Sequence, residues 1–170
     1  MLDIDRYMLD DRCGICMMCL MKRYDAKLVF TLCEDAPAEK LNRSEAIHAY
    51  MKDAFEINPD QESMWVIFLN RKNFPKGRLM MTLGTAVQSL VHPREVFRGA
   101  IMAGATAIIV CHNHPSGDPA PSNADLMVTR QLRDAAKVID IQLLDHVICG
   151  DIESDPNGKG YYSFREAGLV

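Results

Sequence analysis

The run Met64–Leu69 (MWVIFL) constrains the fold more than any other feature of this sequence. Six apolar residues in succession, bounded by polar residues on both sides, are typical of a strand that is buried on both faces of a sheet. Thr106–Cys111 (TAIIVC) is a second run of this kind. A sheet buried on both faces needs covering elements on both sides. The sequence therefore predicts a layered α/β or α+β domain with Met64–Leu69 in the middle of its sheet.

Helical and extended patterns alternate around these two runs. Three helices are predicted: from a cap at Ser44 to about Glu56, from Pro93 to Ala103, and from a cap at Ser122 to about Asp140. Further strands are predicted at Arg23–Leu32, at Arg78–Leu83 after a hairpin turn, at Ile141–Cys149 and at Gly160–Phe164. The chain thus divides into a Cys- and Met-rich extension over residues 1–21, where no period is visible, and one domain over residues 22–170 with a mixed sheet flanked by helices.

Size and charge exclude several classes of protein. A chain of 170 residues buries roughly 70% of its unfolded surface and needs neither disulfides nor a structural metal to fold, so a metal here would serve function. The formal charge of -4 argues against broad nucleic-acid binding through this domain alone. Gly99–Cys111, an apolar stretch of thirteen residues between Arg98 and His112, is too short to cross a bilayer. Asp3, Asp5 and Arg6 stand where a secretory apolar segment would lie, so we expect a cytoplasmic protein.

The candidate functional residues lie in the segment that follows the second apolar run. His112 and His114 project to the same side of an extended segment, because side chains alternate along it. Ser122, as the helix N-cap, places Asp125 in the first helical turn, where its carboxylate can face back to the histidines. Two imidazoles, one carboxylate and a water complete a catalytic zinc site. The alternative is that Ser122 and Asp125 form only a capping box while the histidines bind backbone groups.

The pattern H-x-H-x7-S-x2-D, in the wording HNHPSGDPAPSNAD, resembles the JAMM (MPN-plus) zinc metalloproteases and, among them, the RadC-like branch. The resemblance covers residues 22–170 and includes VHPREVF, LDHVI and YSFRE. It implies a JAMM/MPN (cytidine-deaminase-like) architecture with one Zn²⁺ per chain, held by His112, His114 and Asp125. It also implies a functional glutamate just before the first central strand, a position that Glu62 fits.

The resulting hypothesis is a zinc-dependent hydrolase of peptide or isopeptide bonds. Zinc would acidify a water molecule, Glu62 would act as general base, and the Ser122 hydroxyl or nearby amides would stabilise the oxyanion. The alternative is a non-catalytic binding module for DNA or a replication-associated partner. Full-length RadC-like proteins carry an N-terminal helix-hairpin-helix region, for which these 170 residues leave no room, and this weakens the expectation of a role in DNA repair.

Two segments depart from the family pattern. Cys13, Cys16 and Cys19, with Cys33, have the spacing of part of a second metal site, but Met and Leu interleave them as in an apolar packing segment. We predict free thiols. The loop at residues 151–159 is longer than the Gly-rich turn usual in the family.

Overall fold

The computed structural model describes residues 39–84 and 91–170, and within them the chain forms three helices and five strands. The order along the chain is α1 (Ser44–Glu56), β1 (Ser63–Leu69), β2 (Pro75–Leu83), α2 (Pro93–Met102), β3 (Ala107–Asn113), α3 (Asn123–Ile139), β4 (Gln142–Cys149) and β5 (Tyr161–Ser163). The extension 1–21, the strand predicted at Arg23–Leu32 and the four cysteines of the N-terminal region lie outside the described residues.

The sheet is mixed, in the spatial order β2-β1-β3-β4-β5. β1 runs antiparallel to β2 and to β3, β3 runs parallel to β4, and β5 closes the edge antiparallel to β4. The two apolar runs are β1 and β3, and they lie side by side away from both edges. The predicted mixed sheet flanked by helices is therefore confirmed.

Helices cover both faces of the sheet, as the continuous apolar runs require. On one face, Val66 and Phe68 pack with Phe97 of α2 and Leu132 of α3. On the other face, Ile67 and its neighbours pack with residues of α1 such as Ile47 and Met51. Successive residues of β1 thus enter opposite cores, which is why the strand has no polar face.

The predicted cap at Ser44 is wrong. Arg43 is the N-cap of α1 and makes no side-chain capping bond, and Ser44 is the first helical residue. The Ser44 hydroxyl instead donates to Asp145 Oδ2 at 3.1 Å. Asp145 is fully buried, and a buried carboxylate needs donors more than an exposed helix end does. Ser163 Oγ–H and the Arg165 N–H donate to the same carboxylate.

No helix in the described ranges 39–84 and 91–170 has the length and apolar character needed to cross a membrane.

Candidate metal centre

The end of β3 places the imidazoles of His112 and His114 next to each other. β3 continues two residues beyond the predicted strand, so His112 lies within the sheet, and it is fully buried. His114 follows the strand, and its main-chain N–H donates to the carbonyl of Cys149 at the end of β4. The Nε2 atoms of His112 and His114 are 3.1 Å apart. The alternation along the strand predicts this arrangement, with Asn113 facing away from the pair.

Asp125, in the first turn of α3, pairs with the N-cap residue Ser122 and faces the histidines at the same time. Its Oδ2 accepts hydrogen bonds from the N–H (2.8 Å) and the hydroxyl (2.6 Å) of Ser122, and its own N–H donates to Ser122 Oγ, which makes a capping box. Its Oδ1 lies 3.3 Å from His112 Nε2. The capping box uses Oδ2 and leaves Oδ1 facing His112, so the box alone does not exclude a metal site here.

Glu62 stands immediately before β1 and reaches the same place. Its Oε1 lies 3.9 Å from His112 Nε2, and its side chain is 25% exposed. Ligand atoms of Glu62, His112 and His114 all lie within 4.8 Å of one another, so this cluster could hold a metal ion. Burial raises the pKa of the Glu62 carboxyl above its ordinary value, which makes the carboxylate a stronger base.

Asn113 fixes both neighbours of Glu62. Its Oδ1 accepts from the N–H (2.8 Å) and the hydroxyl (3.0 Å) of Ser63, and its Nδ2–H donates to the carbonyl of Gln61 (3.0 Å). The carbonyl of Glu62 itself accepts from the N–H of Gly84. Asn113 thus acts as a clamp that sets the main chain on either side of the glutamate. Sequence reasoning missed it, and its only signal was that Asn113 points away from the histidine pair.

The electrostatics of the cluster favour a bound cation. Burial lowers the pKa of His112 well below its ordinary value, so this imidazole is neutral at pH 7. Burial by itself would raise the pKa of Asp125, but the hydrogen bonds with His114 and Ser122 outweigh burial and lower it, so the carboxyl is ionised. The hydrogen bond with Asp125 raises the pKa of His114. The cluster therefore combines a neutral imidazole with an anionic oxygen and draws positive charge to its centre.

The donor set fits zinc. His114 Nδ1 lies 2.8 Å from the carbonyl oxygen of Asp118. A carbonyl can only accept, so Nδ1 keeps its proton. In the neutral imidazole that a metal ion requires, Nε2 then has the lone pair, directed at the cluster. Imidazole nitrogens at about 2.0–2.1 Å from a tetrahedral zinc ion lie about 3.3 Å from one another, close to the 3.1 Å between the two Nε2 atoms.

The loop at residues 151–159 lies against the loop that carries His114. The N–H of Asp151 donates to the carbonyl of Gly117 at 2.7 Å. The loop is ordered around Asp155, whose carboxylate accepts from the N–H groups of Asn157, Lys159 and Gly160. The 151–159 loop therefore borders the loop that follows His114, a placement that the sequence does not reveal.

The sheet is mixed and lies between helices, with an H-x-H pair at the end of a central strand, an aspartate in the first turn of the next helix and a glutamate before the neighbouring strand. These features define an α/β domain of the JAB/MPN class with a cluster that could hold a metal ion. The family model described as the RadC-like JAB domain matches residues 41–169. The chain belongs to the RadC-like JAB domain family.

Relatives of similar sequence carry the name UPF0758 protein. One from Thermotoga maritima is 42% identical over 130 residues, which cover 76% of this chain and 54% of the relative. Another, from Chlorobium luteolum, is 49% identical over 125 residues, which cover 70% of this chain and 53% of the relative. The chain thus spans about half the length of these curated relatives. The predicted family is confirmed, and the predicted boundary between residues 21 and 22 stays a prediction.

Proposed function

We propose that this domain is a zinc-dependent hydrolase of amide bonds, peptide or isopeptide, with one Zn²⁺ held by His112, His114 and Asp125. One observation carries the proposal: two histidine Nε2 atoms 3.1 Å apart, with Asp125 Oδ1 at 3.3 Å and Glu62 Oε1 at 3.9 Å from His112 Nε2. Three protein ligands leave one position of a tetrahedral ion for solvent or substrate, which is typical of catalytic zinc.

Zinc bound there supplies Lewis acidity, which lowers the pKa of a water molecule to about 7 and polarises a carbonyl. Glu62 is the general base. Its carboxylate is only partly exposed and its pKa is raised by burial, so it accepts a proton from water more readily than an ordinary glutamate. It then returns that proton to the leaving nitrogen. Asn113 holds the main chain on both sides of Glu62 while the carboxylate gains and loses the proton.

Ser122 supplies the oxyanion donor in this proposal. Its hydroxyl and its N–H both donate to Asp125 Oδ2. The hydroxyl can turn toward a substrate oxygen while the N–H keeps the carboxylate oriented. A donor aimed at developing negative charge stabilises the transition state more than the bound substrate.

The substrate is a peptide or protein of unidentified sequence, and the acidic composition favours it over nucleic acid as the partner of this domain. We further propose a cytoplasmic location, which agrees with the free thiols of the buried Cys111 and Cys149.

A panel of quenched peptide and isopeptide substrates, assayed with and without a chelator, tests this function. We expect chelator-sensitive hydrolysis, and we expect Glu62→Gln to lower turnover by about 100- to 10,000-fold, the usual contribution of a general base. Glu56→Gln is the matched control, because Glu56 is exposed at the end of α1 and its loss should leave turnover unchanged. Hydrolysis that survives in Glu62→Gln contradicts the mechanism. Partner binding without any amide cleavage, equal with and without zinc, supports the binding module instead.

A further inference from the structure

A second buried histidine stands behind the first ligand. His146 lies on β4, the parallel neighbour of β3, and is fully buried. Its Nε2 is 2.9 Å from His112 Nδ1. Its ring stacks on Phe164, with centroids 4.7 Å apart and planes 10° apart. The proposed hydrolysis assigns no role to His146, although placing an imidazole in an apolar core costs free energy unless both of its nitrogens are hydrogen-bonded.

Thr129 satisfies the other nitrogen and determines the direction of the hydrogen bonds. Its Oγ1 is 2.6 Å from His146 Nδ1 and 2.6 Å from the main-chain carbonyl of Asp125. The carbonyl can only accept, so the single hydroxyl proton of Thr129 points to it. Thr129 must therefore accept from His146 Nδ1–H. His146 Nε2 then carries a lone pair and accepts from His112 Nδ1–H.

The direction of these hydrogen bonds also determines which nitrogen of His112 is protonated. With the proton of His112 on Nδ1, its Nε2 is left with a lone pair directed at His114 and Asp125. Metal-ligating histidines are regularly held in this way by an acceptor for their second nitrogen. Here the chain of hydrogen bonds starts at one proposed ligand, His112, and ends at the main chain of another, Asp125. It therefore joins β3, β4 and α3 across the back of the site.

We propose that His146 and Thr129 are positioning residues that hold His112 as the Nδ1-protonated tautomer and fix its position relative to Asp125. The ligand atoms are then already arranged to bind zinc in the metal-free protein. This inference rests on the metal site of the proposed function. According to this inference, a buried His–Thr pair that does not itself bind the metal controls the affinity of the site for zinc.

The matched pair Thr129→Val and Thr129→Ser tests the assignment. Valine keeps the shape of threonine but cannot accept a hydrogen bond, so His146 loses the partner that fixes its tautomer. Serine keeps the hydroxyl. Zinc affinity, measured by competition with a chromophoric chelator, should fall about 10- to 100-fold in Thr129→Val, the usual cost of losing an outer partner. Thr129→Ser should stay close to wild type, whereas an effect of packing alone would weaken Thr129→Ser, which loses a methyl group, more than Thr129→Val.

A second measurement needs no zinc, and its main result comes from the wild type. Long-range ¹H–¹⁵N spectra of the metal-free wild type distinguish the two neutral tautomers, and His112 should be protonated on Nδ1. In Thr129→Val the spectrum should show a mixture or the opposite tautomer. His112 protonated on Nε2 in the wild type overturns the inference, as does unchanged zinc affinity in a folded Thr129→Val. Failure of the wild type to bind zinc overturns the proposed function instead, and the metal-free spectrum still tests the tautomer.

Discussion

Asn113 accepts two hydrogen bonds from Ser63, one from its main-chain N–H at 2.8 Å and one from its hydroxyl at 3.0 Å. The two residues lie at the adjoining ends of β3 and β1, just past Met64 and His112, the last pair of the β1–β3 ladder. A side-chain amide thus continues the pairing of the strands where the main-chain ladder stops. The position of Glu62 next to His112 depends on these hydrogen bonds between Asn113 and Ser63.

We expect Asn113→Ala to lower both stability and turnover. The change leaves the N–H of Ser63 and the carbonyl of Gln61 without their partner, at a cost of about 1–3 kcal/mol in the free energy of unfolding. With the main chain around Glu62 released, kcat should fall while zinc content stays at one per chain, because the proposed ligands are untouched. Urea denaturation, metal analysis and the peptide assay measure these three quantities.

Asn70→Ala is the matched control for Asn113→Ala. The Oδ1 of Asn70 also accepts two main-chain N–H bonds, from Lys72 and Phe74, in the turn between β1 and β2. Its removal should lower stability but leave kcat unchanged. Equal kcat values in the two variants would show that the clamp has no influence on Glu62.

Zinc content separates the proposed ligands from the proposed base. Protein purified without added metal should carry one zinc per chain, and His112→Ala and His114→Ala should lose it. Asp125→Asn should bind zinc more weakly, since a neutral amide replaces an anionic oxygen, and excess zinc should partly restore binding. Glu62→Gln should keep its zinc. Elemental analysis checks all four variants, and wild-type content in both histidine variants would eliminate the site.

The metal-free protein should lose stability on mild acidification. Burial lowers the pKa of His146 to about 4, below its ordinary value of 6.5, so between these pH values the unfolded chain binds a proton that the folded chain does not. The free energy of unfolding therefore decreases as the pH falls through this window, by up to about 1.4 kcal/mol per pH unit for one such group. Burial acts in the same direction on His112. The raised pKa of His114 makes stability depend on pH only above the ordinary histidine value of 6.5, outside this window.

Urea denaturation at several pH values, with a chelator present throughout, measures this dependence. His146→Gln removes one of the groups that cause it, so the slope of stability against pH between about 6.5 and 4 should be smaller in that variant. An identical slope in the two proteins would mean that His146 is protonated in the folded state.

Much of the fold and of the candidate site follows from local patterns. Continuous apolar runs identify β1 and β3, and spacing alone brings His112 and His114 to one side of a strand. The contacts that refine the site join residues distant in sequence, and local patterns carry no signal for them. Asn113 and Ser63 are 50 positions apart, and His112 and His146 are 34 apart. The wrong cap at Ser44 has the same origin, because the acceptor that takes its hydroxyl is 101 positions away.

The contact between the loops at Gly117 and Asp151 yields the last prediction. Gly117 has a φ of +82°, and a Cβ at this position would lie 2.7 Å from Asp151 Oδ2 and 2.8 Å from Ser154 Oγ. Gly158, at the far end of the 151–159 loop, has a φ of +66° and nothing within 4 Å of such a Cβ. Gly117→Ala and Gly158→Ala therefore share the strain of a left-handed alanine, about 1–2 kcal/mol, and only Gly117→Ala adds a steric clash.

We expect Gly117→Ala to lower the melting temperature more than Gly158→Ala does. We also expect it to weaken zinc binding, because Gly117 adjoins Asp118, whose carbonyl holds His114 Nδ1–H. Gly158→Ala should bind zinc as the wild type does, since its Cβ meets no neighbouring atom. Thermal unfolding of the metal-free variants and chelator competition provide the two readouts. Equal zinc affinity in both variants, with a lower melting temperature in Gly117→Ala, would show that the 151–159 loop supports the fold without influencing the metal centre.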